Sequence, residues 1–159
     1  MNKRKAALVV MIILVAAGFS MYLGSHTLYG NDQESIVRVI QSIEGYEDKP
    51  IEILRITDFK DVRIVGFLYN DWPAQITFYK NSTGNYKWQS IEVRQGETVS
   101  TFFPILPDSI RPKLMYVSSG ENKTTVTQVD VNGQMIEQEV PPNKASVIWV
   151  DLPQTGGNY

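Results

Sequence analysis

Residues 6–24 carry no charged side chain, and Leu8 to Val15 would be apolar on every face of a helix. Nineteen residues at helical rise span about 28 Å, close to the roughly 30 Å hydrocarbon core of a bilayer. This pattern predicts a transmembrane helix. Past residue 31 the apolar positions recur at helical spacing, Ile36, Ile40 and Ile43 with Val37 and Val39 beside them, which predicts an amphipathic helix over 32–44. Asn31 is its expected N-cap, with Glu34 three residues on, and Gly45 its expected end.

From Ile51 onward the period changes to two. Strands are expected near 51–57, 61–69, 74–80, 86–94 and 97–103, then 113–118, 123–131, 134–140 and 145–152. Turn chemistry separates them, at Thr57-Asp58, at Asn70 to Pro73, at Asn81 to Gly84 and at Asn132-Gly133. Asn132-Gly133 between alternating apolar residues predicts a type I′ hairpin, whose two central residues both need positive φ.

Two strands are apolar on both alternating sets, Val62–Tyr69 and Ala145–Leu152, so both are expected to be central and covered on both faces. In strand 86–94 the parity switches, from Tyr86 and Trp88 to Ile91 and Val93. A β-bulge near Gln89-Ser90 restores one buried face. Prolines 104, 107 and 112 keep the 104–112 segment out of a central strand, and it is expected to divide the sheet system in two. The resulting expectation is an α+β fold, one helix packed on a mainly antiparallel curled sheet of eight to nine strands. A mainly-β sandwich is the alternative.

Composition changes the picture in two ways. Lys3, Arg4 and Lys5 precede the apolar segment, which places the remainder outside the cytoplasm, held by an uncleaved anchor over residues 1–24. The same start also fits a cleaved signal peptide with an h-region over Ala6–Val15. Residues 25–31 then form a tether and 32–159 one extracytoplasmic domain. All 17 Asp and Glu fall after residue 24, against 15 Lys and Arg in the whole chain, so the domain is acidic. That balance argues against nucleic acid as a partner. With no cysteine, apolar burial alone must hold an exported fold.

Catalytic signatures are absent. There is no phosphate loop, no HExxH, no GxSxG and no cysteine nucleophile, and the lone histidine, His26, lies in the tether. The carboxylate pairs Asp58/Asp61 and Glu137/Glu139 read as turn and solvated-strand residues. The expectation is a non-catalytic binding or scaffolding domain with no cofactor and no metal; an extracytoplasmic hydrolase using carboxylates around the Trp72 turn is the alternative.

Tyr69, Trp72, Tyr79, Tyr86 and Trp88 crowd into the second to fourth strands and are the candidate ligand-binding residues. A flat apolar ring with a polar edge suits a protein or glycan partner, while cross-strand packing would explain the same residues. Asn81-Ser82-Thr83 and Asn122-Lys123-Thr124 match glycosylation sequons and read equally as turn residues.

The layout, a basic and apolar start, a capped helix and hairpins such as Phe78 to Trp88, resembles small membrane-anchored or exported proteins of Gram-positive bacteria. Leu152-Pro153-Gln154-Thr155-Gly156 resembles the LPxTG sorting signal of surface proteins in that group. The resemblance implies that a sortase would cleave between Thr155 and Gly156 and join Thr155 to the cell wall. In that family a hydrophobic stretch and basic tail follow the motif; here Gly157-Asn158-Tyr159 follows. A strand ending at Leu152 before a proline accounts for the same residues.

Overall fold

The computed structural model describes residues 28–152. Nine strands and one short helix follow in order: α1 (Gln33–Gln41), β1 (Ile51–Phe59), β2 (Val62–Tyr69), β3 (Trp72–Lys80), β4 (Tyr86–Val93), β5 (Val99–Phe102), β6 (Lys113–Ser118), β7 (Val126–Val131), β8 (Gln134–Glu139) and β9 (Ser146–Asp151). Three antiparallel sheets result, ordered β1-β2-β3-β4, β5-β6-β9 and β7-β8.

Half of the described residues are strand and 7% are helix, which corrects the expected α+β class toward the mainly-β alternative. The reason is length. Nine residues of α1 cover only one face of the first sheet, and the layer on its other face is a second sheet. No helix among the described residues is long and apolar enough to cross a membrane, so the expected transmembrane helix has no counterpart there; its predicted span, 6–24, lies outside them. Nor is there a single curled sheet of eight or nine strands, for the pairing breaks into three sheets, none closed.

Asp32, not Asn31, caps α1. Its carboxylate accepts from the Ser35 backbone N–H at 2.8 Å, and the Ser35 hydroxyl accepts from the Asp32 N–H at 2.9 Å. Asn31 instead accepts from the Tyr86 N–H at 3.0 Å, and the Gly30 N–H donates to the Tyr86 carbonyl at 2.8 Å. Residues 30–31, expected in a tether, are thus joined to the start of β4.

The sheets pack as the alternation of β2 dictates. Val65, Phe67 and Tyr69 turn toward Ile36, Val39 and Ile40 of α1. Val62, Ile64 and Leu68 turn the other way, onto Phe102, Met115 and Val117 of the second sheet. β2 is central and covered on both faces, as its sequence implies. β9 is not: it pairs with β6 alone and forms an edge. Its double apolarity has another cause. Val147 and Trp149 pack against the first sheet, while Ile148 lines a hollow beside Pro141 and Pro142 at the foot of the β7–β8 hairpin.

Turn positions refine the expected boundaries. β1 runs through Thr57-Asp58, and the chain reverses at Lys60-Asp61, where Phe59 pairs with Val62 and Lys60 has φ of 57°. Asn70 and Asp71 both have positive φ, so Trp72 and Pro73 open β3 and are not part of the loop. Asn132 and Gly133, at φ of 55° and 81°, make the expected I′ turn. The two main sheets divide at residues 94–98, between β4 and β5; the proline-rich 104–112 stretch lies inside the second sheet's connectivity, between β5 and β6.

Arg63 ties the N-terminal end of the described chain to the first sheet. Its guanidinium donates to both Asp58 carboxylate oxygens at 2.7 and 2.8 Å, and to the Gly30 and Asn31 carbonyls at 2.9 and 2.8 Å. It also lies 3.9 Å from the centre of the Tyr86 ring. Arg63 holds the Asp58 carboxyl below its ordinary value of 3.8. A carboxylate depressed in the folded state stabilises fully above its unfolded pKa, and loses that contribution as pH falls through the folded one. Stability in urea is therefore expected to fall below about pH 4, with a shallower fall in Asp58→Asn. Equal slopes in the two chains would contradict the assignment.

Candidate functional site

The second sheet packs on β1 and β2 and reaches β3 through β5 and β6, and the chain that leaves β5 continues over the outer part of β3 and β4. On that face the alternation of β3 presents Gln75 and Thr77, both buried, and Tyr79, opposite to Ala74, Ile76 and Phe78, which turn to α1. β4 adds Ser90 and Glu92, directly across from Thr77 and Gln75. The register slips between Thr77 and Phe78, because Gln89 is an extra residue between Ser90 and Trp88. This is the bulge that the parity switch predicts. It keeps Tyr86, Trp88, Ile91 and Val93 on the α1 face, and it puts both Gln89 and Ser90 beside the opposite one.

Phe103, Pro104 and Ile105, leaving β5, form the opposing wall. The cleft measures about 390 Å³. Its rim is apolar and open: Phe103 is 53% and Ile105 78% exposed, and Tyr79 keeps 39% of its surface in solvent. Large apolar side chains exposed together around a concave polar floor are a common composition for ligand sites.

The floor is an ordered set of acceptors. The Gln75 amide N–H donates to one Glu92 oxygen at 3.1 Å, and Arg94 pairs with the other. That contact fixes the amide orientation, since the reverse would set oxygen against carboxylate. Gln75 Oε1, on a residue only 9% exposed, is left buried without a hydrogen-bond partner. A buried acceptor left unmade costs roughly 1–3 kcal/mol. Thr77 and Ser90 add hydroxyls. Arg94, paired with Glu92, offsets its charge locally.

The aromatic residues singled out from sequence do not form one site. Tyr69, Trp72, Tyr86 and Trp88 all lie on the α1 face, by burial or by register. Tyr69 is buried against Tyr46, ring centres 5.2 Å apart, and its hydroxyl donates to the Gly45 carbonyl at 3.2 Å. Trp72 packs half-buried on the same core, and Tyr86 lies under Arg63. Burial pushes both the Tyr69 and the Tyr86 phenols above their ordinary pKa. Trp88 is on the α1 face but partly exposed. Only Tyr79 reaches the cleft.

Other predicted residues fall as follows. Asp58 is committed to Arg63, and Glu137 accepts from Gln128 on the exposed hairpin. Among the described residues no three His, Asp or Glu side chains gather to hold a metal. The Asn81 side chain accepts from Thr83 and Asn85, and Asn122 is fully buried, its amide donating to Thr124 at 2.9 Å, so both serve their turns. Of the sorting motif, Leu152 donates its N–H to the Pro112 carbonyl at 2.9 Å; Pro153, Thr155 and Gly156 lie outside the described residues.

Gln75, Thr77, Ser90, Glu92, Phe103 and Ile105 were not singled out by sequence. The signal was present, as strict alternation of polar and apolar residues along Ala74–Tyr79, but a polar strand face ordinarily means solvent.

Comparison with protein-family models, curated proteins and solved structures gives no match for this chain.

Proposed function

We propose that this is an exported, non-catalytic binding domain working at the outer face of the cell membrane, and that the β3–β4 cleft is where it holds its ligand. The buried, unpartnered acceptor of Gln75 beneath an exposed apolar rim is the observation that carries this reading. A buried acceptor with no partner in the protein can take a hydrogen bond from a ligand donor. Export rests on the sequence alone, on Lys3 to Lys5 ahead of an uncharged 19-residue run.

The test compares variants on the two faces of one sheet. Full-length protein immobilised on a support is exposed to solubilised envelope material of its own host. Tyr79→Ala and Phe103→Ala are expected to weaken retention of a captured component about tenfold, a loss of one anchoring side chain each. Trp88→Ala, on the α1 face, is expected to leave retention unchanged. Loss with Trp88→Ala and not with Tyr79→Ala would overturn the assignment of the site.

A further inference from the structure

We infer that the ligand of this cleft is a neutral, hydroxyl-rich molecule, a saccharide unit of a glycan. The inference rests on the cleft being the binding site and adds the chemistry of what it takes.

The polar groups on the floor set the first constraint. Gln75 Oε1 can only accept a hydrogen bond, and each Glu92 oxygen, already taking one donor, has room for a second. Gln75 and Glu92 are direct cross-strand partners, so these acceptors lie side by side. Gln75 lines the cleft, and its Oε1 has no partner within the protein. Neighbouring hydroxyls on a sugar ring donate side by side in just this way. Thr77 and Ser90, also cross-strand partners, either donate or accept and suit the remaining hydroxyls.

Charge sets the second constraint. A cationic ligand, such as an amine or a lysine side chain, needs an unpaired carboxylate. Glu92 is already paired with Arg94, and Lys87 sits across from Tyr79 on the same face of the sheet. An anionic ligand would meet a carboxylate and an amide oxygen on the floor, with Arg94 already engaged by Glu92. Neutral donors are what remain.

The rim sets the third. A sugar ring presents an apolar C–H face and a polar edge. The Tyr79 ring and the Phe103 and Ile105 side chains offer apolar surface for the first, while the floor receives the second.

Titration of the isotope-labelled full chain, followed by NMR, tests this with defined probes: a neutral oligosaccharide trimer with and without N-acetyl groups, a uronic-acid trimer, a glucosamine trimer, trilysine, and an uncharged tripeptide. At least one neutral saccharide is expected to give saturable shifts at Thr77, Tyr79, Ser90 and Phe103. Its affinity should fall about tenfold in Tyr79→Ala. Trp88→Ala, on the opposite face of the sheet, is expected to leave that affinity unchanged, and trilysine is expected to give no saturable shift at these residues. Saturable shifts at these residues from trilysine or the tripeptide, with none from any neutral saccharide, would overturn the saccharide assignment and leave the cleft as the site. Envelope capture that survives both Tyr79→Ala and Phe103→Ala, with no probe shifting these residues, would overturn both.

Discussion

Replacing Arg63 by methionine is expected to lower the unfolding free energy by about 2–4 kcal/mol, measured by urea denaturation of the full chain. The side chain is only 12% exposed and donates to four oxygens from three residues. Methionine fills the volume but restores none of those bonds. Asp58, 43% exposed, returns to water at little cost, so the Coulombic part of the loss is small. Most of the penalty falls on the Gly30 and Asn31 carbonyls and on the Tyr86 ring, which lose the group that binds residues 30–31 to the sheet. Arg63→Lys is expected to recover less than half of the loss, because an ammonium cannot fork across a carboxylate and two carbonyls at once. Full rescue by lysine would show that charge, not geometry, is what the site uses.

Gly66 gives the second large effect. A Cβ at this position would stand 2.7 Å from a Val147 methyl and 3.4 Å from the Met115 sulfur, both in the second sheet. Val147 is β-branched and stiff, and cannot swing aside as a long side chain would. Gly66→Ala is expected to cost about 1–3 kcal/mol through separation of the sheets, despite alanine's lower backbone entropy cost. Adding Val147→Ala opens the required space, so the double variant is expected to be more stable than the sum of the single losses predicts. Strict additivity of the two would mean that the sheets do not touch there.

Much of this fold is written in periodicities. The two-sided burial of β2, the bulge at Gln89 and the Asn132-Gly133 turn all follow from local spacing, since each is decided by residues close in sequence. The class was less legible, because a capped, amphipathic 32–44 segment says nothing of how much sheet it will cover; α1 closes after nine residues, and β5, β6 and β9 supply the second layer. β9 shows the same limit. Its residues are apolar on both parities whether covered by two sheets or by one sheet and a hairpin's foot, and only long-range packing tells these apart.

The candidate site was hidden for a related reason. Rings attract notice in a sequence, yet Tyr69, Trp72 and Tyr86 are packed into the α1 core, and Trp88 lies on that same side of the sheet. Gln75, Thr77, Ser90 and Glu92 read as an ordinary wet strand face. They become a floor because the 103–105 wall, from a distant part of the chain, stands over them. No local pattern encodes that juxtaposition.

Hydrogen–deuterium exchange of the full chain, with and without the component that it captures from its own envelope, tests the central claim most directly. The account predicts new protection confined to residues 75–79, 89–92 and 103–105, with α1 and the β7–β8 hairpin unchanged. Protection on the α1 face or along the hairpin, with β3 and the 103–105 wall exchanging as before, would contradict it.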